Sequence, residues 1–414
     1  MFLYSISIRI ASIWNPKAKR WLEGRRNNID EIASQMKNVN AEIVWFHCAS
    51  MGEFEQGIPL MEELKKTNSQ IKIVLTFFSP SGYDSVKEFK AADYKFYLPM
   101  DSYFAAKKFI DQVNPKLVIW IKYEFWYYYL AELKKRKIPV LLVSGVFRKS
   151  QPFFKWYGKV WRNMLDCFTF IFVQNQESKK LLETIGVAPN VTIAGDTRFD
   201  RVIEVANLQF EFPIIEVFCK NHNTIVAGST WEDDEIILAS YTDETNHREK
   251  LILVPHELDH AHLNSVSKIF KKSIFYSEVQ NKPGLINNLD DYNTLIIDTV
   301  GMLSRLYSYG YVNYVGGGFT ADGIHNVLEA AVWSKPIIFG ENYVKYSEAV
   351  DLVECLAAES ISNTNELMEI MNILSKDNTS YQEAAIAGSN YVRANVGATK
   401  KITDYIYVNR LLTS

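Results

Sequence analysis

Residues 42–66 read EIVWFHCASMGEFEQGIPLMEELKK. The opening run, through residue 49, is almost wholly apolar, rich in β-branched and aromatic side chains and without polar–apolar alternation. Such a run suits a strand buried on both faces of a sheet. The period then changes: Leu60, Met61 and Leu64 share one face of a helix. Between the two stands Ser50-Met51-Gly52-Glu53, the S-x-x-E pattern of a capping box.

The same strand-then-helix unit recurs. Apolar runs at 42–49, 71–78, 94–98, 116–121, 140–144, 170–174 and 191–194 alternate with amphipathic stretches, and a second series follows at 224–228, 251–255, 273–276, 294–298, 311–315 and 336–340. This alternation predicts an α/β protein built on doubly wound parallel sheets. Charge and proline at 210–213 interrupt the series. The reading is two Rossmann-like domains, 1–212 and 213–414, facing a cleft, and a chain of 414 residues is long enough for two cores. The stretch from Ala398 is helical in pattern, with Ile402, Tyr405 and Ile406 on one face. By fold analogy it is expected to cross back to the first domain.

A net charge of −3 gives no reason to expect a nucleic-acid partner. Cys48, Cys167, Cys219 and Cys355 are widely spaced, so neither a disulfide framework nor a cysteine zinc site is indicated. Residues 1–14 are apolar apart from serines and Arg9, yet too few to span a bilayer. Arg9, Lys17, Lys19, Arg20, Arg25 and Arg26 stand against Glu23 alone up to residue 28. Residues 1–28 therefore read either as a segment docking on an anionic membrane face or as a first helix packed on its own domain. Dense aromatic and basic stretches at 120–129 and 148–161 carry the same pair of readings.

Several strand ends carry candidate chemistry. Glu53 reads as a capping residue or as a general base acting on an incoming hydroxyl. The stretch GGGFTADGIHNVLE, residues 316–329, runs from a strand through a glycine-rich loop into a helix. Gly317 and Gly318 read as a phosphate cradle, with Glu329 placed to accept from ribose hydroxyls, or as a tight turn that needs glycine. Asp298-Thr299-Val300-Gly301 and Ser229-Thr230 offer donors to a nucleotide or simply cap helices. His256-Glu257-Leu258-Asp259-His260 matches the zinc-protease pattern H-E-x-x-H, but the context is a strand end and a helix start rather than a helix interior.

Taken in order, HCASMGE (47–53), WIKYEFW (120–126), GDTRFD (195–200), AGSTWE (227–232), DTVG (298–301) and the glycine-rich loop resemble the 3-deoxy-D-manno-octulosonic acid (Kdo) transferases of Gram-negative bacteria across nearly the whole chain. The resemblance implies a GT-B glycosyltransferase that moves Kdo from CMP-Kdo to the glucosamine 6′-hydroxyl of a tetra-acylated lipid A precursor by inverting displacement. It implies Glu53 as base, with Glu124 and Arg198 stabilising the transition state. Pro255, His256, Gly301, Met302, Leu303, Asn326, Val327, Leu328 and Glu329 fall where the family binds CMP. It further implies an acceptor-binding first domain, a CMP-sugar-binding second domain and work at the cytoplasmic face of the inner membrane, with no cofactor and no metal. Three positions depart from the family pattern: Arg198 stands for a usual lysine, His256 for an arginine and Val327 for a proline. The rival readings are a GT-B transferase for another nucleotide sugar, a zinc metalloprotease through His256 and His260, and a membrane-docking protein without turnover.

Overall fold

The computed structural model describes residues 2–86, 89–122, 124–187, 190–245 and 248–412. Two compact units emerge, residues 1–201 with 396–414, and residues 202–395.

The first unit holds β1 (Ile43–Cys48), β2 (Lys72–Phe77), β3 (Tyr94–Tyr97), β4 (Leu117–Ile121), β5 (Val140–Gly145), β6 (Phe170–Val173) and β7 (Val191–Ile193). They form one parallel sheet in the order β3-β2-β1-β4-β5-β6-β7. Every residue of β1 is buried. Ile43 and Trp45 pack on one face with Val74, Val118 and Leu142, while Val44, Phe46 and Cys48 pack on the other with Ile73, Leu75 and Ile119. Two apolar faces explain the unbroken run in the sequence. The second face is covered by the helix Met51–Thr67, through Phe54, Ile58, Met61 and Leu64, and by the helix Ala398–Val408, through Ile402 and Ile406.

The second unit holds β8 (Thr224–Thr230), β9 (Lys250–Pro255), β10 (Ser273–Phe275), β11 (Thr294–Ile296), β12 (Val312–Val315), β13 (Ile337–Gly340) and β14 (Ala358–Ile361). Their order is β10-β11-β9-β8-β12-β13-β14, again all parallel. The chain runs from β8 to β9 on one side, and β12 pairs with β8 on the other. β14 is absent from the sequence reading. It is an edge strand of four residues, buried only at its ends, with Glu359 exposed.

The division between units falls inside the helix Thr197–Asn207 rather than after residue 212. The cause is aromatic: Phe210 packs on Tyr309 and Trp333, and Phe212 packs on Tyr309, so the segment before residue 213 belongs to the second core. Among the described residues no helix is long and apolar enough to cross a membrane.

Ile406 is fully buried, whereas Val408, two positions on, is 80% exposed. Ile406→Ala should cost the first unit about 2–5 kcal/mol, and Val408→Ala about 0.5 kcal/mol or less. Urea midpoints followed by tryptophan fluorescence check the contrast.

Candidate active site

Glu53 opens the helix after β1. Its Oε2 accepts the Ser50 N–H at 3.0 Å and also the Ser50 hydroxyl. The capping box is therefore formed. Oε1 makes no hydrogen bond among the described residues, and the side chain is half-buried. The two readings of Glu53 are compatible: one oxygen fixes the carboxylate and the other remains free to accept a proton. Gly52 is exposed, and a Cβ there would meet nothing within 4 Å, so packing within the protein does not require glycine.

Glu124 follows β4, past Lys122, whose φ is +57°. The turn is closed by Trp120 Nε1–H donating to the Glu124 carbonyl at 2.5 Å. Among the described residues Glu124 Oε2 is buried without a hydrogen-bond partner, and it lies 3.7 Å from His47 Nε2. The neighbours of His47 fix its tautomer. Trp126 Nε1–H can only donate, and it does so to His47 Nε2 at 3.2 Å. The ring proton then sits on Nδ1 and goes to Thr76 Oγ1 at 3.0 Å. In this arrangement two acceptors face each other, so Glu124 and His47 do not form an ion pair. The orphaned Glu124 oxygen lacks a donor that a bound molecule can supply.

Arg198 lies beyond β7 and is held by the carboxylate two residues before it. Its backbone N–H donates to Asp196 Oδ1 at 2.9 Å, and Nε and Nη2 donate to Oδ2 at 3.0 and 2.8 Å. Gln56, from the helix after β1, reaches both Asp196 oxygens, and Gln174 reaches Oδ2 at 2.7 Å. Burial alone pushes the Asp196 carboxyl up, but the Arg198 charge and hydrogen bonds, with Lys122, more than reverse it and hold it below the ordinary carboxylate value. Glu55 feels the same cations, Arg198, Lys122 and Arg201, yet burial leaves its carboxyl raised. The structure thus sets Glu53, Glu124 and Arg198 along the carboxyl-end edge of the first sheet. His47 faces Glu124, and Gln56 and Asp196 hold Arg198 in place; the sequence reading assigned none of these three. A histidine amid apolar β1 residues was the available signal for the first.

In the second unit, three rings converge at the carboxyl ends of β8, β9 and β12. Trp231 Nε1–H donates to His325 Nε2 at 3.0 Å, and their planes differ by 8°. His256 stacks across this pair, 4.7 Å from Trp231 and 4.4 Å from His325 between centroids. Asp234, fully buried, holds the surrounding loops. It accepts from Tyr314 Oη at 2.7 Å, Gly317 N at 2.8 Å and Trp231 N at 2.9 Å.

Of the two readings of Gly317 and Gly318, this geometry accounts for the tight turn. A Cβ on Gly316 would fall 2.4 Å from the Ser229 carbonyl oxygen, and one on Gly318 would fall 2.4 Å from Gly340 N. Gly317 has φ +90° and its amide is engaged by Asp234. Backbone packing is enough to demand these glycines. The helix beyond the loop, Leu328–Ala331, is one turn long. Val327 and Leu328 are fully buried, which leaves only their backbone for a ligand. Asn326 Nδ2 donates to Glu329 Oε1 at 3.1 Å. Gly301 is exposed with φ +85°. Leu303 and Tyr307 crowd Gly228 at the β8 end, and Glu329 acts on the Tyr307 hydroxyl, so the segments carrying Gly301 to Leu303 and Asn326 to Glu329 meet there. Pro255 ends β9 and is buried.

The protease reading fails on geometry. His256 lies in a turn, and the helix His260–Ile269 begins only at His260, whose Nδ1 pairs with Asn264 at 2.8 Å. Among the described residues no group of three or more His, Cys, Asp or Glu side chains could hold a metal ion.

The folded pKa of Asp196 is depressed, so its contribution is present above the unfolded value of about 3.9 and is lost as pH falls through the lower folded value. Asp196→Asn should flatten that limb of the acid-stability profile and cost about 3–5 kcal/mol at neutral pH, because Arg198 loses a buried partner. Urea midpoints at pH 7 and at successively lower pH test both statements.

Comparison with known proteins places these features. A family profile described as 3-deoxy-D-manno-octulosonic-acid transferase (kdotransferase) matches residues 21–201. The 3-deoxy-D-manno-octulosonic acid transferase of Aquifex aeolicus is 30% identical over 342 residues, covering 80% of this chain and 86% of that protein. The Haemophilus influenzae protein of the same name is 27% identical over 373 residues, covering 88% of this chain and 86% of its own. Among solved structures, UDP-GlcNAc 2-epimerase from Neisseria meningitidis superposes with TM-score 0.61 at 17% identity, covering 88% of this chain and 99% of that one. A glycosyltransferase from Rickettsia africae gives TM-score 0.56 at 15% identity, covering 91% of this chain and all of that one. These structural likenesses show the GT-B fold. With that fold, and with identity of this level sustained over four-fifths of its length, the chain belongs to the 3-deoxy-D-manno-octulosonic acid transferase family of glycosyltransferases.

Proposed function

We propose that the protein transfers Kdo from CMP-Kdo to the glucosamine 6′-hydroxyl of a tetra-acylated lipid A precursor, in lipopolysaccharide assembly at the cytoplasmic face of the inner membrane. The observation that carries this reading, given the family, is Glu53: one carboxylate oxygen is fixed by Ser50 and the other is free of hydrogen bonds among the described residues. In the scheme, that oxygen takes the proton of the acceptor hydroxyl. The hydroxyl oxygen bonds to the anomeric carbon of Kdo from the face opposite CMP, the bond to the phosphate oxygen breaks, and the centre inverts. Arg198, held in place by Asp196, offers a fixed cation to the negative charge around the reacting centre. Glu124 receives a hydroxyl donor at its orphaned oxygen. Pro255, His256, Gly301 to Leu303 and Asn326 to Glu329 hold CMP, and the scheme uses no cofactor besides the donor.

A lipid acceptor also gives sense to the surface of the first unit. Tyr103 and Phe104 follow β3, Tyr127 and Tyr128 follow β4, and Trp156 and Tyr157 follow β5, and all six are exposed. Trp156 is 92% exposed, with Lys155 and Lys159 beside it in sequence. In the N-terminal segment Trp21 is buried, while Ile13 and Trp14 are 79% and 69% exposed. Met1 lies outside the described residues. Rings and lysines on the rim that carries Glu53 suit the headgroup layer of a membrane.

Incubation of the tetra-acylated precursor with CMP-Kdo and excess EDTA should add one or more Kdo units by mass spectrometry. Glu53→Gln should lower the rate by about 10²–10⁴-fold. Well-folded protein that adds no mass would overturn the reading. Trp156→Ala combined with Ile13→Asp should reduce sedimentation with phosphatidylglycerol vesicles, and unchanged sedimentation would remove these residues from membrane docking.

A further inference from the structure

Four amides around the three-ring stack are already engaged. Gly316 N donates to Gly228 O, Gly317 N to Asp234, His325 N to Gly316 O and His256 N to Thr230 O. An anion arriving at this strand edge finds none of these four available. Trp231 Nε1 is engaged by His325, and His325 Nε2 by Trp231. The His256 imidazole differs: it is exposed, held flat on the Trp231–His325 pair, and makes no side-chain hydrogen bond among the described residues. Stacking occupies a ring face and leaves the two nitrogens, which lie in the ring plane, for a ligand. The ring stands where β9, β8 and β12 end side by side, at the point where the order of the sheet reverses and ligands of such sheets bind.

We propose that His256 is the phosphate ligand of the nucleotide site and that it binds by taking up a proton: the ring is neutral in the free protein and becomes an imidazolium, paired with the phosphate, when the nucleotide is bound. This rests on the reading that the second unit binds CMP. The proton comes from solvent and returns there when CMP leaves. The groups facing the ring agree with a neutral free state. The ring edge is open, but the stack takes one face out of water, and this desolvation lowers the His256 pKa, with Glu257 on its own segment opposing. Trp231 brings no charge. His325 is pushed down to about 4 by burial, with His256 adding to the shift and Asp322 opposing. Its Nε2 accepts the Trp231 N–H, so its proton sits on Nδ1 and it remains neutral beside a charged His256. An imidazolium on an indole face is itself favourable.

The sign follows. A pKa raised by the phosphate makes binding tightest at low pH and weaker as pH rises through the bound-state value, by up to about tenfold per pH unit. The phosphate of CMP titrates near pH 6 as well, so the comparison is between variants. Titration calorimetry of the whole protein with CMP, near pH 7 in buffers of different ionisation enthalpy, should show proton uptake. In His256→Phe, which keeps a stacked ring, the uptake should fall and affinity should drop about tenfold or more. In His256→Arg, affinity should lose the pH dependence owed to the ring. Equal proton uptake in wild type and His256→Phe, or equal affinity, overturns the proposal and leaves the CMP reading standing. No CMP binding by folded wild type overturns that reading, and this proposal with it.

Discussion

A buried carboxylate gathering the donors of strand-end loops is the interaction on which both units depend. Asp234 is out of solvent entirely and joins the start of its own helix, through Trp231 N, to β12, through Tyr314, and to the glycine turn, through Gly317. Asp196 does the same for the first unit, joining Gln56, Gln174 and Arg198. A carboxylate left alone at such depth would be strongly unfavourable, so the donors have to be present together. Each loop therefore has little freedom to move without the others. The side chains proposed for chemistry, Arg198 in one unit and His256 in the other, inherit their positions from these two charges.

Parallel sheets were legible because they write themselves into the sequence as unbroken apolar runs. Ile43, Trp45, Val44 and Phe46 need no alternation when both faces are covered. β14 escaped for the converse reason, since an edge strand with Glu359 in water has no such run. The capping box at Ser50 was legible because its spacing is local. Asp234 and Asp196 were not, since each ties its loop to a partner eighty or more residues away, and such a carboxylate looks like any other in sequence. The same limit hid the Trp126–His47 hydrogen bond and the Trp231–His325 pair.

The glycine-rich loop shows how one composition serves two ends. Three glycines in a row invite a phosphate reading, and a turn that brings backbone against backbone asks for the same residues. What decides is the destination of each amide and the space at each missing Cβ. Gly318 abuts Gly340, and Gly316 abuts Ser229. The loop thereby brings His325 to Trp231, and an aromatic surface forms beside the glycines.

The helix Ala398–Val408 has a consequence for how the protein is made. Its Ile402 and Ile406 belong to the core of the first unit, although all of residues 202–395 are synthesised before it. On the ribosome the second unit, a continuous segment, can finish folding while the first still waits for the helix that covers one face of its sheet. Until then Phe170 and Phe172 lack the Tyr405 ring that packs on them, and a growing chain at that stage presents apolar surface to water. Asp200, which accepts the Gly397 and Thr399 amides, would be the latch that captures this helix as it emerges. A frameshift near residue 396 would thus spoil the unit whose sequence was already complete up to residue 201.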